Sequence, residues 1–140
     1  MYLIDTNVIS EIRKKKKANI GVQRYFKTAI QNEDKLYISI VTIGELRRGI
    51  ELIRYRSDTR QANQLEKWLA VILEDHQNNI LDVNEDIAQL WGKLRVPHPE
   101  NALDKLIAAT ALINGLTVVT RNIKDFSKTG VAVLNPFEEL

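Results

Sequence analysis

The chain of 140 residues has no cysteine, only two histidines, six glycines and three prolines. Without thiols there can be no disulfide, no thiolate zinc site and no cysteine nucleophile, and a reducing compartment is permitted. No Pro-, Gly- or Ser-rich stretch divides the sequence and no internal repeat is present, so one domain spanning 1–140 is expected. No apolar run approaches the ~18 residues of a membrane span. The start, Met1-Tyr2-Leu3-Ile4-Asp5, lacks the basic head and long apolar stretch of a secretory signal. These absences lead to the expectation of a cytoplasmic protein with no membrane partner. There is also no basic segment interleaved with aromatics of the kind that marks an RNA-recognition sheet.

What is present is ordinary in amount, with 44% hydrophobic and 27% charged residues, and informative in order. Short runs rich in Ile, Leu and Val occur at 2–4, 36–41, 80–83 and 117–119, with a fifth at 131–134. They read as buried parallel strands. Between them lie helical stripes: Ile43, Leu46, Ile50 and Ile53; then Leu65, Trp68, Leu69, Ile72 and Leu73; then Ile87, Leu90, Trp91 and Leu94 behind an N-cap at Asn84. Alternating strands and helices predict right-handed crossovers and a doubly wound α/β sheet. Val96-Pro97-His98-Pro99 breaks the chain before a helix rich in small residues, and Asn135-Pro136 ends the last strand.

Four acids stand where strand-like runs give way to helix-like ones: Asp5, Glu45, Asp104 and Asp125. In a parallel sheet such exits share one edge, where the ligand crevice lies. Each acid has a plain structural reading. Thr42-Ile43-Gly44-Glu45 fits a capping box, and Asn101-Ala102-Leu103-Asp104 a shorter version of it. Asp125 would sit in a first helical turn and Asp5 in an Asx turn. Capping does not, however, predict an acid at the exit of strand after strand. Asp104 also shares a face with Ile107, Ala108 and Ala111, and a carboxylate at the rim of an apolar face is costly unless paired or metal-bound. Two unit charges ~4 Å apart repel by about 4 kcal/mol at an effective dielectric of ~20, so a cation is the natural resolution.

All-carboxylate ligands favour Mg²⁺ or Mn²⁺. Thr6, Asn7, Thr120 and Asn122 lie beside the acids and could orient water or phosphate oxygen, or simply cap helices. His76 and His98 fall at a helix end and in a loop, away from every acid, and read as exposed. Of 18 acidic residues, setting aside these four leaves 14 against 20 Lys and Arg, an acidic pocket within a basic surface that suits a polyanion. Arg13, Lys14, Lys15, Lys16 and Lys17 form a continuous basic run, and Arg47 and Arg48 flank Glu45. Both sets are candidate phosphate contacts, or solvated surface.

The stretches Leu3-Ile4-Asp5-Thr6-Asn7-Val8-Ile9-Ser10-Glu11, Thr42-Ile43-Gly44-Glu45-Leu46-Arg47-Arg48-Gly49, Asp104-Lys105-Leu106-Ile107-Ala108-Ala109-Thr110-Ala111 and Val119-Thr120-Arg121-Asn122-Ile123-Lys124-Asp125-Phe126 together resemble PIN-domain ribonucleases, in particular the VapC- and FitB-like toxins of type II toxin–antitoxin pairs. The resemblance implies a five-stranded parallel sheet flanked by helices, and a homodimer or a toxin–antitoxin hetero-oligomer with a VapB-like antitoxin whose C-terminal tail obstructs the site. It implies that Asp5, Glu45, Asp104 and Asp125 hold Mg²⁺ or Mn²⁺ for hydrolysis of RNA by metal-activated water. The departure is the Lys14–Lys17 run, where relatives often carry a shorter basic stretch with proline. Two other readings stand beside it. One is a housekeeping RNA-processing nuclease of the same fold. The other is a non-catalytic Mg²⁺-binding signalling or RNA-binding module, against which the strand end Thr120-Arg121-Asn122 argues because a receiver-like site needs a lysine there.

Overall fold

The computed structural model describes residues 1–139. Five parallel strands form one sheet in the order β3-β2-β1-β4-β5. They are β1 (Tyr2–Ile4), β2 (Leu36–Ser39), β3 (Ile80–Leu81), β4 (Thr117–Val119) and β5 (Val133–Leu134). Seven helices connect them: α1 (Thr6–Ile12), α2 (Ile20–Gln31), α3 (Ile40–Tyr55), α4 (Thr59–Asp75), α5 (Glu85–Leu94), α6 (Ala102–Asn114) and α7 (Ile123–Phe126). Tyr2 pairs with Leu36 on one side and Thr117 on the other, so β1 is central.

Both sheet faces are covered, which is why the strands read as unbroken apolar runs. Successive strand residues point to opposite faces. Ile4, Ile38 and Val119 pack with Val8, Val22, Leu46, Ile50 and Leu69 of α1 to α4. Leu3 and Val118 pack on the other face with Ile107, Ala108 and Ala111 of α6 and with Phe126. The small residues of α6 let that helix lie close against the sheet, and Gly115 ends it in the left-handed conformation, φ +66°. Gly21 is required by a close approach, since a Cβ there would stand 2.2 Å from the Pro136 carbonyl oxygen.

The strands are shorter than the apolar runs. Helix α3 already begins at Ile40, because Ser39 acts as its N-cap, its hydroxyl accepting from the Val41 amide at 3.1 Å. A good cap outweighs the β preference of Ile40 and Val41. The expected capping box at Thr42 is therefore not formed: Thr42 is inside the helix, fully buried, with a hydroxyl that has no hydrogen-bond partner among the described residues. The runs at 80–83 and 131–134 contribute only Ile80–Leu81 and Val133–Leu134 to the sheet. Asn84 caps α5 as expected, accepting from Ile87 at 2.9 Å.

Helix α7 has a single turn and cannot be stable by itself. Its anchor is Phe126, fully buried between β4 and α6. Phe126→Ala should cost about 3–5 kcal/mol, read as a lowered midpoint in urea unfolding. A loss below about 1 kcal/mol would mean that the segment is held by something else.

Candidate active site at the exits of the central strands

From β1 the chain moves to β2 on one side, and from β4 to β5 on the other. The exits of β1 and β4 thus flank the point where strand order reverses, the place where open α/β sheets bind ligands. Asp5 leaves β1 there and caps α1, its Oδ1 accepting from the Thr6 amide at 2.9 Å. The Thr120 hydroxyl, at the exit of β4, donates to Asp5 Oδ2 at 2.8 Å. Asn7 Nδ2 reaches the same oxygen at 3.4 Å and Thr120 Oγ1 at 3.3 Å, while Asn7 Oδ1 accepts from the Arg121 amide at 3.1 Å. The Thr6 hydroxyl donates to Glu45 Oε1 at 2.8 Å. One hydrogen-bonded set therefore ties β1, β4, α1 and α3 together around the Asp5 carboxylate.

Thr6, Asn7 and Thr120 enter this set through their side chains. Asn122 enters only through its backbone amide, which donates to Thr120 Oγ1 at 3.0 Å. Its side chain makes no capping bond to α7. Nor does Asn101 cap α6 with its side chain: it takes a left-handed backbone, φ 57°, that turns the chain into the helix. The short capping box expected over 101–104 is thus absent, and Asp104 is left in the first turn of α6, on the face whose Ile107, Ala108 and Ala111 are buried. Glu45 lies in the second turn of α3, too far along to cap it.

Burial, and for Glu45 and Asp104 also the charge of other acids, raises three of the four carboxyls. Asp5 is 4% exposed. Burial pushes its carboxyl above the ordinary range, against the pull of the Thr120 hydroxyl and the Thr6 amide. Glu45 is raised by burial, the Thr6 hydrogen bond opposing and the Asp5 charge adding. Asp104 is pushed up to about 6, first by burial, then by the negative charges of Asp5, Asp125 and Glu45 and by contact with Asp125. None of the four makes an ion pair among the described residues. Nor, among the described residues, are three carboxylate or imidazole groups already drawn together as a cation cage. The donor set is hard oxygen throughout, which fits Mg²⁺ or Mn²⁺ and no softer metal.

The basic residues do not act as one patch. Arg13 lines a groove of about 290 Å³ with Thr6, Glu45 and Trp68, beside the acids. Lys14 pairs with Glu11 at 2.9 Å, and Lys15–Lys17 form a 3₁₀ turn. Lys15 and Lys16 border a different hollow, against α2. Arg47 is committed to Glu66 at 2.6 Å and Glu51 at 3.3 Å, clamping α3 to α4. Arg48 is exposed. His76 ends α4 and is half-buried rather than exposed; His98 is exposed, as its loop context suggested, and lines a cavity of about 430 Å³ that Asp125 also lines. That cavity holds the residues the sequence reading passed over, Lys105, Lys124 and Lys128. Lys105 had one signal, a charge set into an apolar helical run, and it is indeed buried, at 7% exposure.

The profile of the PIN domain matches residues 2–132. The chain belongs to the PIN-domain family. It is 36% identical over 145 residues to the plasmid stability protein StbB of Pseudomonas syringae, covering 99% of each chain. Toxin FitB of Neisseria gonorrhoeae is 34% identical over 145 residues, covering 99% of this chain and 100% of that protein. The crystal structure of FitAcB from the same bacterium has a TM-score of 0.83 at 34% identity, covering 97% and 98% of the two chains. A VapC ribonuclease of Sinorhizobium fredii is 29% identical over 144 residues, covering 99% of each. Solved VapBC complexes at 23% identity share the PIN fold.

The raised carboxyl of Asp104 has a consequence for stability that chelated protein should display. Its folded value near 6 exceeds the ordinary 3.8, so between those limits the folded PIN domain binds the proton more tightly than the unfolded chain. Stability from this group therefore falls as pH rises from about 4 to about 6 and is flat above. In EDTA, Asp104→Asn should be more stable than the parent at pH 7, by about 1 kcal/mol once solvent screening of this half-buried group is allowed for. The difference should vanish near pH 4. Thermal unfolding at both pH values checks this; an equal difference at the two would place the effect outside titration.

Proposed function

We propose that this PIN domain is an Mg²⁺- or Mn²⁺-dependent endoribonuclease that serves as the toxin of a type II toxin–antitoxin pair. What supports the reading is the place of Asp5 at the strand-order reversal, the charges of Asp5, Asp125 and Glu45 bearing on Asp104, and the lack of an ion-pair partner for any of the four among the described residues. These four would hold the cation, which when bound lowers the pKa of the attacking water and neutralises charge on the leaving oxygen. The chain's own part is positioning. Thr120, Asn7 and the Thr6 amide fix the Asp5 carboxylate, and the Thr6 hydroxyl fixes Glu45. A hydroxyl or amide donor also favours the ionised form of Asp5 and Glu45 against the effect of burial, and that is the form that binds metal.

The toxin role rests on likeness to proteins named for it, FitB as a toxin and VapC as a ribonuclease. The groove lined by Leu46, Ile50, Trp68 and Arg13 opens onto Thr6 and Glu45. It suits an apolar segment of a VapB-like antitoxin, which from there would obstruct the acids. Water as nucleophile requires no side-chain nucleophile and leaves a 5′-phosphate and a 3′-hydroxyl.

Purified protein should cut a mixed RNA pool with Mg²⁺ or Mn²⁺ and not with EDTA. Asp5→Asn should lose activity by about two orders of magnitude or more, the scale of several kcal/mol of charge stabilisation. Products ending in a 2′,3′-cyclic phosphate, or undiminished cutting by Asp5→Asn, would overturn the reading. Thr120→Val keeps the shape of the side chain but removes the hydroxyl that orients Asp5. Its cleavage rate should fall about 10–100-fold with the fold intact by circular dichroism, whereas full activity would leave Thr120 only a turn residue.

A further inference from the structure

The cavity beside Asp125 is lined by none of the other three acids. One wall is segment 95–101, between α5 and α6; the other is the turn from Lys124 to Thr129. The first wall is pinned at three points. Arg95 Nε donates to the Pro99 carbonyl at 3.3 Å, Trp91 Nε1 donates to the Ala102 carbonyl at 2.8 Å, and the Lys105 ammonium donates to the His98 carbonyl. The Arg95 guanidinium also lies 4.7 Å from the centre of the Trp91 ring. The second wall is anchored by buried Phe126 and by Thr129, whose hydroxyl donates to the Phe126 carbonyl at 2.6 Å. At about 430 Å³ the space falls within the ~300–1,000 Å³ of small-molecule sites.

Its charge is unusual for a hollow next to four carboxylates. Lys105, Lys124 and Lys128 line it, against Asp125 and Glu100. Lys124 and Lys128 are exposed and make no ion pair among the described residues. Lys105 spends one of its three donors on the loop. The wall also offers Val96 and Pro97 as an apolar face. Two uncommitted ammonium groups beside an apolar surface match a phosphate joined to a sugar and base.

We propose that this cavity is a subsite for the nucleotide of RNA that adjoins the cleaved bond, with Lys124 and Lys128 holding its phosphate. Asp125 is shared between the cavity and the acid cluster, so a strand whose cleaved phosphate lies at the acids carries its neighbouring nucleotide into this space. The proposal rests on the nuclease reading and adds to it a direction for the strand, towards α7 and segment 95–101.

The test uses Asp104→Asn protein, which should bind without cutting, and a fluorescein-labelled single-stranded RNA pool followed by anisotropy over a salt series in Mg²⁺. Adding Lys124→Ala and Lys128→Ala should weaken binding about tenfold, and the slope of log K against log salt should shrink by about 0.7 for the one phosphate released. Lys27→Ala with Lys67→Ala removes the same charge from distant exposed positions and should change little. Equal losses in the two pairs would reduce the effect to the overall field and overturn the subsite, as would unchanged binding in the Lys124/Lys128 pair. If the Asp104→Asn parent binds no RNA at all, the nuclease reading falls and the subsite with it.

Discussion

Everything at this end of the molecule depends on keeping the Asp5 carboxylate where water scarcely reaches. Burial alone pushes its carboxyl upward, and a protonated acid is a poor ligand for a cation. The donors that oppose burial come from three directions: the Thr6 amide at the start of α1, Asn7 one residue on, and Thr120 across the sheet. They are available together only because β1 and β4 are neighbours. Strand order and carboxylate chemistry are therefore one constraint, and the Asn7 and Thr120 side chains join two strand exits that are 115 positions apart in sequence.

Asp5 was legible because it ends an apolar run at a strand exit, whereas Glu45 lies within α3 and Asp104 opens a helix that follows α5 and a loop rather than a strand. The sheet itself followed from five short Val/Ile/Leu runs separated by helical stripes. Where the reading failed, a local competitor outweighed a pattern. Ser39 starts α3 three residues before Thr42 could, which removes the capping explanation for Glu45. Asn101 turns the chain with a left-handed backbone rather than with its amide group. The lysine-lined cavity was illegible, since Lys105, Lys124 and Lys128 are separated in sequence and meet only through the path of segment 95–101.

The basic residues teach a similar lesson about proximity in sequence. Arg13 to Lys17 looks like one polyanion contact, yet the end of α1 and the following 3₁₀ turn send Arg13 towards Glu45 and Lys15 and Lys16 towards α2. Arg47, adjacent to the motif acid by number, is consumed by Glu66 and Glu51 on the helix surface. An excess of positive charge draws a polyanion to the protein as a whole. Helix phase and ion pairing divide the candidates: Arg13 lines the groove beside Glu45, while Lys14 and Arg47 are paired with carboxylates.

The receiver-like alternative can be judged on topology. A flavodoxin-like doubly wound sheet has the order 2-1-3-4-5, with its switch point between the first and third strands. Here β3 is an edge strand beyond β2, and the reversal falls between β1 and β4. The partner of the first acid is consequently Thr120, a hydroxyl donor, and not a cation. A hydroxyl neutralises nothing; it orients. Asp104, raised to about 6 first by burial and then by the charges of Asp5, Asp125 and Glu45, represents stability given up for a site, the trade expected where function outweighs fold. Gathered carboxylates suit a hard cation in either reading, so it is the hydroxyl at the strand end, and not the repulsion, that separates this site from a receiver-like one.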